Sequence, residues 1–186
     1  MSDTDRRDIQ ACLDGDDEAY ARLVRRYEPQ VARQMHRFDR DPAVREELVQ
    51  DVFVEVYYSL EGFRGDAPFL HWMRRIATRV GYRHWKRQSR RTRQVPLEEW
   101  DGVAETDESV DPAKAGAMLH ALFARLPPKE RLVMTLLYFE ECSTAEIAER
   151  MGWTRPMVKM RAYRARNKLK EVAEREHLLE KLGWIS

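Results

Sequence analysis

Seventeen of the chain's 33 lysines and arginines fall in two stretches that contain no acid. Nine lie between Asp66 and Glu98, and eight between Glu149 and Glu171. A solvated helix normally mixes signs, because opposite charges one turn apart support it. A sustained run of one sign suits a polyanion, whose phosphates each take a cation. All 32 acids lie elsewhere, with the 16 remaining basic residues. The net charge of +1 therefore conceals two strongly positive cassettes in an acidic chain. Nucleic acid is the first reading of this pattern, and an acidic protein partner is its rival.

What accompanies the cations sharpens the chemistry. In the first cassette Phe69, Met73, Ile76, Ala77 and Val80 share one helical face, which is core. The other face holds His71, Arg74, Arg75, Thr78, Arg79, Tyr82 and Trp85. Aromatics among arginines can stack on unpaired bases while the cations track the backbone. The alternative is that Tyr82 and Trp85 pack beneath a neighbouring helix. In the second cassette Val158, Ala162, Ala165 and Leu169 form the packing face. Met160, Tyr163, Arg164 and Asn167 lie opposite, flanked by Lys159, and are suited to base edges in a major groove. Arg161, Arg166, Lys168 and Lys170 are better placed for phosphates.

Other chemistries lack their residues. His36, His71, His84, His120 and His177 are scattered, without carboxylates or cysteines at ligand spacing. Cys12 and Cys142 stand alone, which fits a reducing cytoplasm. There is no phosphate loop, nucleophile elbow or metal motif. No catalytic residue, metal or cofactor is expected, and the chain does not read as an enzyme. No apolar run is long enough for a membrane span, and MSDTDRRDIQ is too polar for a secretory signal.

The elements that must position these residues are helices throughout, since strand-type alternation is absent. The pattern is helical from Asp16 to about Leu60, interrupted at Pro29 and again at Asp39–Pro42. Within it, 46–60 is apolar nearly all round, through Leu48, Val49, Val52, Phe53, Val54, Val56, Tyr57 and Tyr58. That predicts either a central core helix or one with a second, protein-facing side. Pro68 opens a long helix to about Arg91. Glu98–Asp111 has seven acids and no apolar stripe, and reads as a flexible linker. Asp111 and Pro112 begin a helix ending near Leu126, and Pro127 and Pro128 begin another reaching about Tyr138. Ser143 and Glu146 form a capping box. Gly152 ends the short helix, and Thr154 caps the last one, giving a helix-turn-helix.

Three stretches, in this order, resemble bacterial RNA polymerase sigma factors of the extracytoplasmic-function (ECF) group. ELVQDVFVEVY at 47–57 is similar to the family's core-polymerase-binding helix in region 2. FRGDAPFLHWMRRIA at 63–77 is similar to the segment that melts and reads the −10 element. LPPKERLVMTLLYFEECSTAEIAERMGW with TRPMVKMRAYRARNKL, over 126–169, is similar to region 4, which reads the −35 element. The similarity spans about 15 to 170, with no room for an intervening region 3.

The resemblance implies an all-α chain of two helical domains, region 2 over 10–94 and region 4 over 113–178, joined by an acidic linker at 95–112. It implies polymerase binding by Leu48, Gln50, Asp51 and Phe53. For the −10 element it implies Phe63, Arg64, Trp72, Arg74, Arg75, Arg79, Tyr82 and Trp85. For the −35 element it implies Arg155, Lys159, Met160, Arg161, Tyr163, Arg164 and Asn167. The implied partners are core RNA polymerase, promoter DNA and an anti-sigma factor, with no membrane insertion of its own. The chain departs from the family at Arg79, where Asn is usual, and at Met157 and Met160, where small or hydroxyl residues are usual. No promoter sequence is therefore carried over. A conventional helix-turn-helix regulator would explain 126–170 but leave 47–91 idle; a scaffold for an acidic protein is the other rival.

Overall fold

A computed structural model describes residues 2–92 and 119–175, and among these there is no strand. The chain separates into two compact units, Met1–Trp85 and Lys86–Ser186. The expected acidic linker and the expected cap at Asp111–Pro112 lie outside the described residues.

The first unit opens with α1 (Asp3–Leu13), which the sequence reading did not anticipate. Its buried apolar side chain is Ile9, so no hydrophobic stripe announces it. It is held instead by charge. Asp5 and Asp8 are buried, and Arg26 of the next helix reaches both, at 2.8 Å and 2.6 Å. Arg22 adds a contact to Asp8 at 2.9 Å. Ser2 caps the helix, its hydroxyl accepting from the Asp5 N–H.

Asp16 then caps α2 (Asp17–Met35), accepting from the Glu18 and Ala19 N–H groups. Pro29, expected to break this helix, lies inside it. The ring is on an exposed face, where water can take the carbonyl that a proline leaves without its helical donor. Asp41 caps α3 (Pro42–Ser59), with Pro42 in its first turn. A 3₁₀ turn (Leu60–Gly62) and a loop lead to α4 (Phe69–Thr92). The Pro68 carbonyl accepts the first bonds of α4, from the His71 and Trp72 N–H groups. The core joins Leu23, Val31, Met35 and Phe38 to Val52, Val56 and Leu60, and to Phe69, Met73, Ala77, Val80 and Trp85.

In the second unit α5 (119–124) precedes α6 (Pro128–Tyr138), α7 (Thr144–Met151) and α8 (Arg155–Arg175). The local signals act as expected. The Ser143 hydroxyl accepts from the Glu146 N–H, and the Glu146 carboxylate accepts from the Ser143 N–H. Gly152 takes the left-handed conformation, φ 66°, after α7. The Trp153 N–H then closes back on the Ala148 carbonyl. The Thr154 hydroxyl accepts from the Met157 N–H. Phe123, Leu126, Met134 and Ala165 form a core that Phe139 and Leu169 cover.

The clamp on α1 is sensitive to acid. Burial alone would raise the Asp5 carboxyl, but hydrogen bonds from Ser2, Tyr27 and Arg26 outweigh it and hold it below its ordinary value. Burial opposes the Asp8 carboxylate too, and Arg26 and Arg22 outweigh it in the same way. Both carboxyls are lower in the folded than in the unfolded chain. Their contribution is complete above the unfolded carboxylate value near about pH 4 and is lost as pH falls through the folded values. Amide protection factors in α1, corrected for the slower intrinsic exchange in acid, should therefore fall on acidification ahead of those in α2–α4. At neutral pH Asp8→Asn should reproduce this loosening, at about 2 kcal/mol. Uniform exchange across the unit at every pH would show that the clamp does not hold α1.

Candidate nucleic-acid and polymerase interfaces

α8 presents the expected face. Val158, Ala162 and Ala165 are buried, and Leu169 is half-buried. Arg155, Lys159, Met160, Tyr163, Arg164 and Asn167 are exposed on the helix. Arg161 does not join them. Its side chain is only 15 % exposed and pairs with Glu130 on α6 at 3.4 Å. Its guanidinium also lies over the Trp153 ring, 4.8 Å from the centroid. The expectation that Arg161 meets DNA is corrected: helical position 161 borders the packing face, and α6 supplies an acid there. Removing one partner of a largely buried pair leaves the other charge unmatched. Arg161→Ala should thus cost the second unit roughly 3 kcal/mol in urea unfolding and leave the salt dependence of DNA binding unchanged. A flattened salt dependence with unchanged stability would return Arg161 to the DNA face.

α4 is sorted differently from its expected face. Arg79 is exposed, Arg74, Arg75 and Tyr82 are half-buried, and Arg64 is exposed in the preceding loop. Phe63 and Trp72 are half-buried and gather with Phe69, their ring centroids 5.2 Å to 5.6 Å apart. Two residues assigned outward are in fact core. Thr78 is fully buried; its hydroxyl donates to the Arg74 carbonyl and accepts from the Gln34 side-chain amide at 3.1 Å. Trp85 is 2 % exposed. Its indole N–H donates to the Phe38 carbonyl at 2.7 Å, and the two rings lie 4.6 Å apart. Trp85 therefore cannot stack on a base from this position.

Gly81 is the reason. A side-chain carbon placed there would lie 2.3 Å from the Phe38 ring. The missing side chain lets the turn after α2 sink against α4 and cover Trp85. The neighbouring His84 ring nitrogen meets the Asp39 carboxylate at 2.8 Å, fixing the same turn. Trp85→Ala should lower stability by about 3–5 kcal/mol in urea unfolding, whereas Tyr82→Ala should change it little. Equal, small effects would mean that the indole is not a packing residue.

α3 corrects the polymerase set in part. Gln50 and Asp51 are exposed, but Leu48 and Phe53 are buried and face the core. The outward apolar residues are Val54, Tyr57 and Tyr58, at 53 %, 46 % and 81 % exposure. The helix that the sequence pattern shows as apolar nearly all round thus has two distinct sides. The signal was available: 48, 52 and 56 form the inner stripe at helical spacing, and 50, 54, 57 and 58 lie across from it. Tyr20 of α2 braces the outer side. Its hydroxyl donates to the Phe53 carbonyl, and its ring meets Tyr57 edge-on at 4.9 Å. Burial pushes the Tyr20 hydroxyl well above the usual phenol value, so it remains a donor. Glu55 pairs with Arg83, joining α3 to α4.

Among the described residues no group of His, Cys, Asp or Glu is placed to hold a metal ion. No described helix is long and apolar enough to cross a membrane.

The family Sigma-70 region 2 matches residues 23–91, and Sigma-70, region 4 matches residues 116–169. The ECF RNA polymerase sigma-E factor of Haemophilus influenzae is 30 % identical over 179 residues, spanning 88 % of this chain and 92 % of that protein. Among solved structures, CnrH in complex with the cytosolic domain of CnrY is similar with a TM-score of 0.60 and 25 % identity, over 92 % of this chain and 98 % of that one. The sigma factor RpoE in complex with the anti-sigma factor NepR from Bartonella quintana shares the fold, with a TM-score of 0.57 and 16 % identity, over 83 % of this chain and 96 % of that one. The chain belongs to the ECF-type RNA polymerase sigma factors, which direct promoter-specific transcription initiation.

Proposed function

We propose a division of labour within the chain. The outer side of α3 docks on core polymerase through Gln50, Asp51, Val54, Tyr57 and Tyr58. The loop from Phe63 and the outer face of α4, with Arg64, Trp72, Arg74, Arg75, Arg79 and Tyr82, holds the melted −10 element. The face of α8 with Arg155, Lys159, Met160, Tyr163, Arg164 and Asn167 reads the −35 element. Region 2 occupies 10–94 and region 4 occupies 113–178, with 95–112 as linker. The protein works in the cytoplasm as a non-catalytic subunit. RpoE of Bartonella quintana is bound by an anti-sigma factor, and an anti-sigma factor is the expected restraint here.

One observation carries the reading. α4 and α8, which hold most of the two acid-free cassettes, each bury an apolar side, and α8 carries Arg155, Lys159, Arg164 and Arg166, and α4 carries Arg79, on the exposed side. The rival in which α8 binds duplex DNA without polymerase does not account for exposed Val54 and Tyr58 on α3.

Run-off transcription with the full chain and core polymerase tests it. Val54→Glu combined with Tyr58→Ala should leave the melting curve unchanged. It should weaken polymerase binding at least tenfold, since buried interface aromatics carry about 2 kcal/mol or more. Tyr82→Ala should spare binding but slow promoter opening by about tenfold, the value of one stacked base. A template already unpaired at −10 should restore it. Normal polymerase binding by the α3 variant would refute the docking face. Normal opening by Tyr82→Ala would remove Tyr82 from the −10 set.

A further inference from the structure

The outward face of α8 is more apolar than its setting explains. Met157, Met160 and Tyr163, three residues apart, are 43 %, 52 % and 59 % exposed. Together they make an oblique apolar strip on a helix whose other exposed positions are mostly cationic. Water does not favour such a strip, and the core of this unit is closed on the opposite side by Val158, Ala162 and Ala165. Something must cover it.

The surroundings choose the occupant. Arg164 lies beside Met160, one turn on, and Asn167 stands in the same relation to Tyr163. Both carry donors that suit base edges. Lys159 flanks the strip, so the covering surface is anionic at its rim. Just beyond Asn167 the character changes: Lys168 pairs with Glu171, and Lys170 with Glu174. The cationic, apolar face is thus confined to the N-terminal part of α8, the end that a recognition helix directs at base edges. A duplex major groove exposes one apolar group among its base edges, the C5 methyl of thymine.

We propose that Met160 and Tyr163 read thymine methyl groups in the −35 duplex, with Met157 at the edge of the same contact. This inference rests on the reading of α8 as the −35 helix and adds what that helix selects. An unbranched thioether adapts to a methyl at either of two adjacent steps, whereas a hydroxyl at position 160 would seek a polar edge. The strip therefore sets specificity by apolar contact, and Arg164 and Asn167 add hydrogen bonds beside it.

The test uses the full chain assembled with core polymerase. Duplexes with a fixed −10 element and a randomised upstream segment are selected by binding. Each thymine in the enriched segment is then replaced by deoxyuridine, which removes only the methyl group. At one or two positions the wild type should bind about fourfold more weakly, the value of one buried methyl. Met160→Ala or Tyr163→Ala should bind thymine and deoxyuridine duplexes alike at those positions. Both side chains are exposed, so unchanged melting curves should confirm that the variants fold. Enrichment with no penalty for deoxyuridine, or with the same penalty in wild type and variants, would overturn the methyl reading and leave the −35 assignment standing. Absence of enrichment would overturn both, and the strip would then be a protein-binding surface.

Discussion

The turn that follows α2 governs how α4 is displayed. Phe38 enters the notch at Gly81, its ring lies against the Trp85 indole, and its carbonyl takes the Trp85 N–H. The two halves of this arrangement satisfy each other's polar groups. A buried indole without an acceptor would carry the desolvation cost of its N–H, and the Phe38 carbonyl would carry its own. Together they fix both the rotation and the height of α4 against α2. Gln34 repeats the restraint two turns earlier, donating to the Thr78 hydroxyl and the Arg74 carbonyl. The outward direction of Arg79 follows from these inward contacts. A cation that tracks a nucleic-acid backbone needs a defined direction more than a strong contact of its own, and here direction is set by packing.

The same logic sorts the cations of both units. Arg22 and Arg26 are committed to the buried carboxylates of α1, Arg83 to Glu55, Arg150 to Glu140 and Arg161 to Glu130. Each pairing joins two elements and fixes them. Tyr27 completes the first of them: burial and the adjacent Asp5 carboxylate push its hydroxyl up to about 12, which keeps it a donor at any physiological pH. Arg155, Lys159 and Arg164 instead stand on an exposed face. Counting basic residues overstates the DNA-facing charge, because part of each cassette is structural. The acids that neutralise that part, Glu55, Glu140 and Glu130, come from outside the cassettes.

Legibility followed the range of the interaction. The second unit was readable where its signals are local. The Ser143–Glu146 box, the left-handed Gly152 and Pro128 each act within one turn of the backbone, and the structure has all three where expected. Periodicity also gave the buried stripe of α8 and the face opposite it. The first unit depends on contacts between residues some 40 positions apart, as in Phe38 with Trp85 and Gln34 with Thr78. No spacing rule sees those. α1 was missed because carboxylates bury one of its sides where a stripe of apolar residues would have marked it. Pro29 was misread because an exposed position in a long, well-packed helix tolerates the lost bond. At position 161 the residue type was informative about charge and silent about the acid waiting on α6.

The two basic helices began with one shared oddity, an aromatic among arginines, and they resolve it in opposite ways. In α4 Trp85 is drawn inward; in α8 Tyr163 stays out. Residue size does not separate the cases, since the larger ring is the buried one. The difference lies one turn earlier on each helix. Four residues before Trp85 stands Gly81, which leaves a notch that Phe38 enters to roof the indole. Four residues before Tyr163 stands Lys159, exposed and charged, which admits no neighbouring ring. Glycine inside a helix costs about 1 kcal/mol relative to alanine, so its presence in α4 implies a compensating contact. That contact is the close approach of Phe38. Here the glycine one turn before the indole is what lets Phe38 roof it. Without it, as in α8, the ring remains at the surface, where only a partner can cover it.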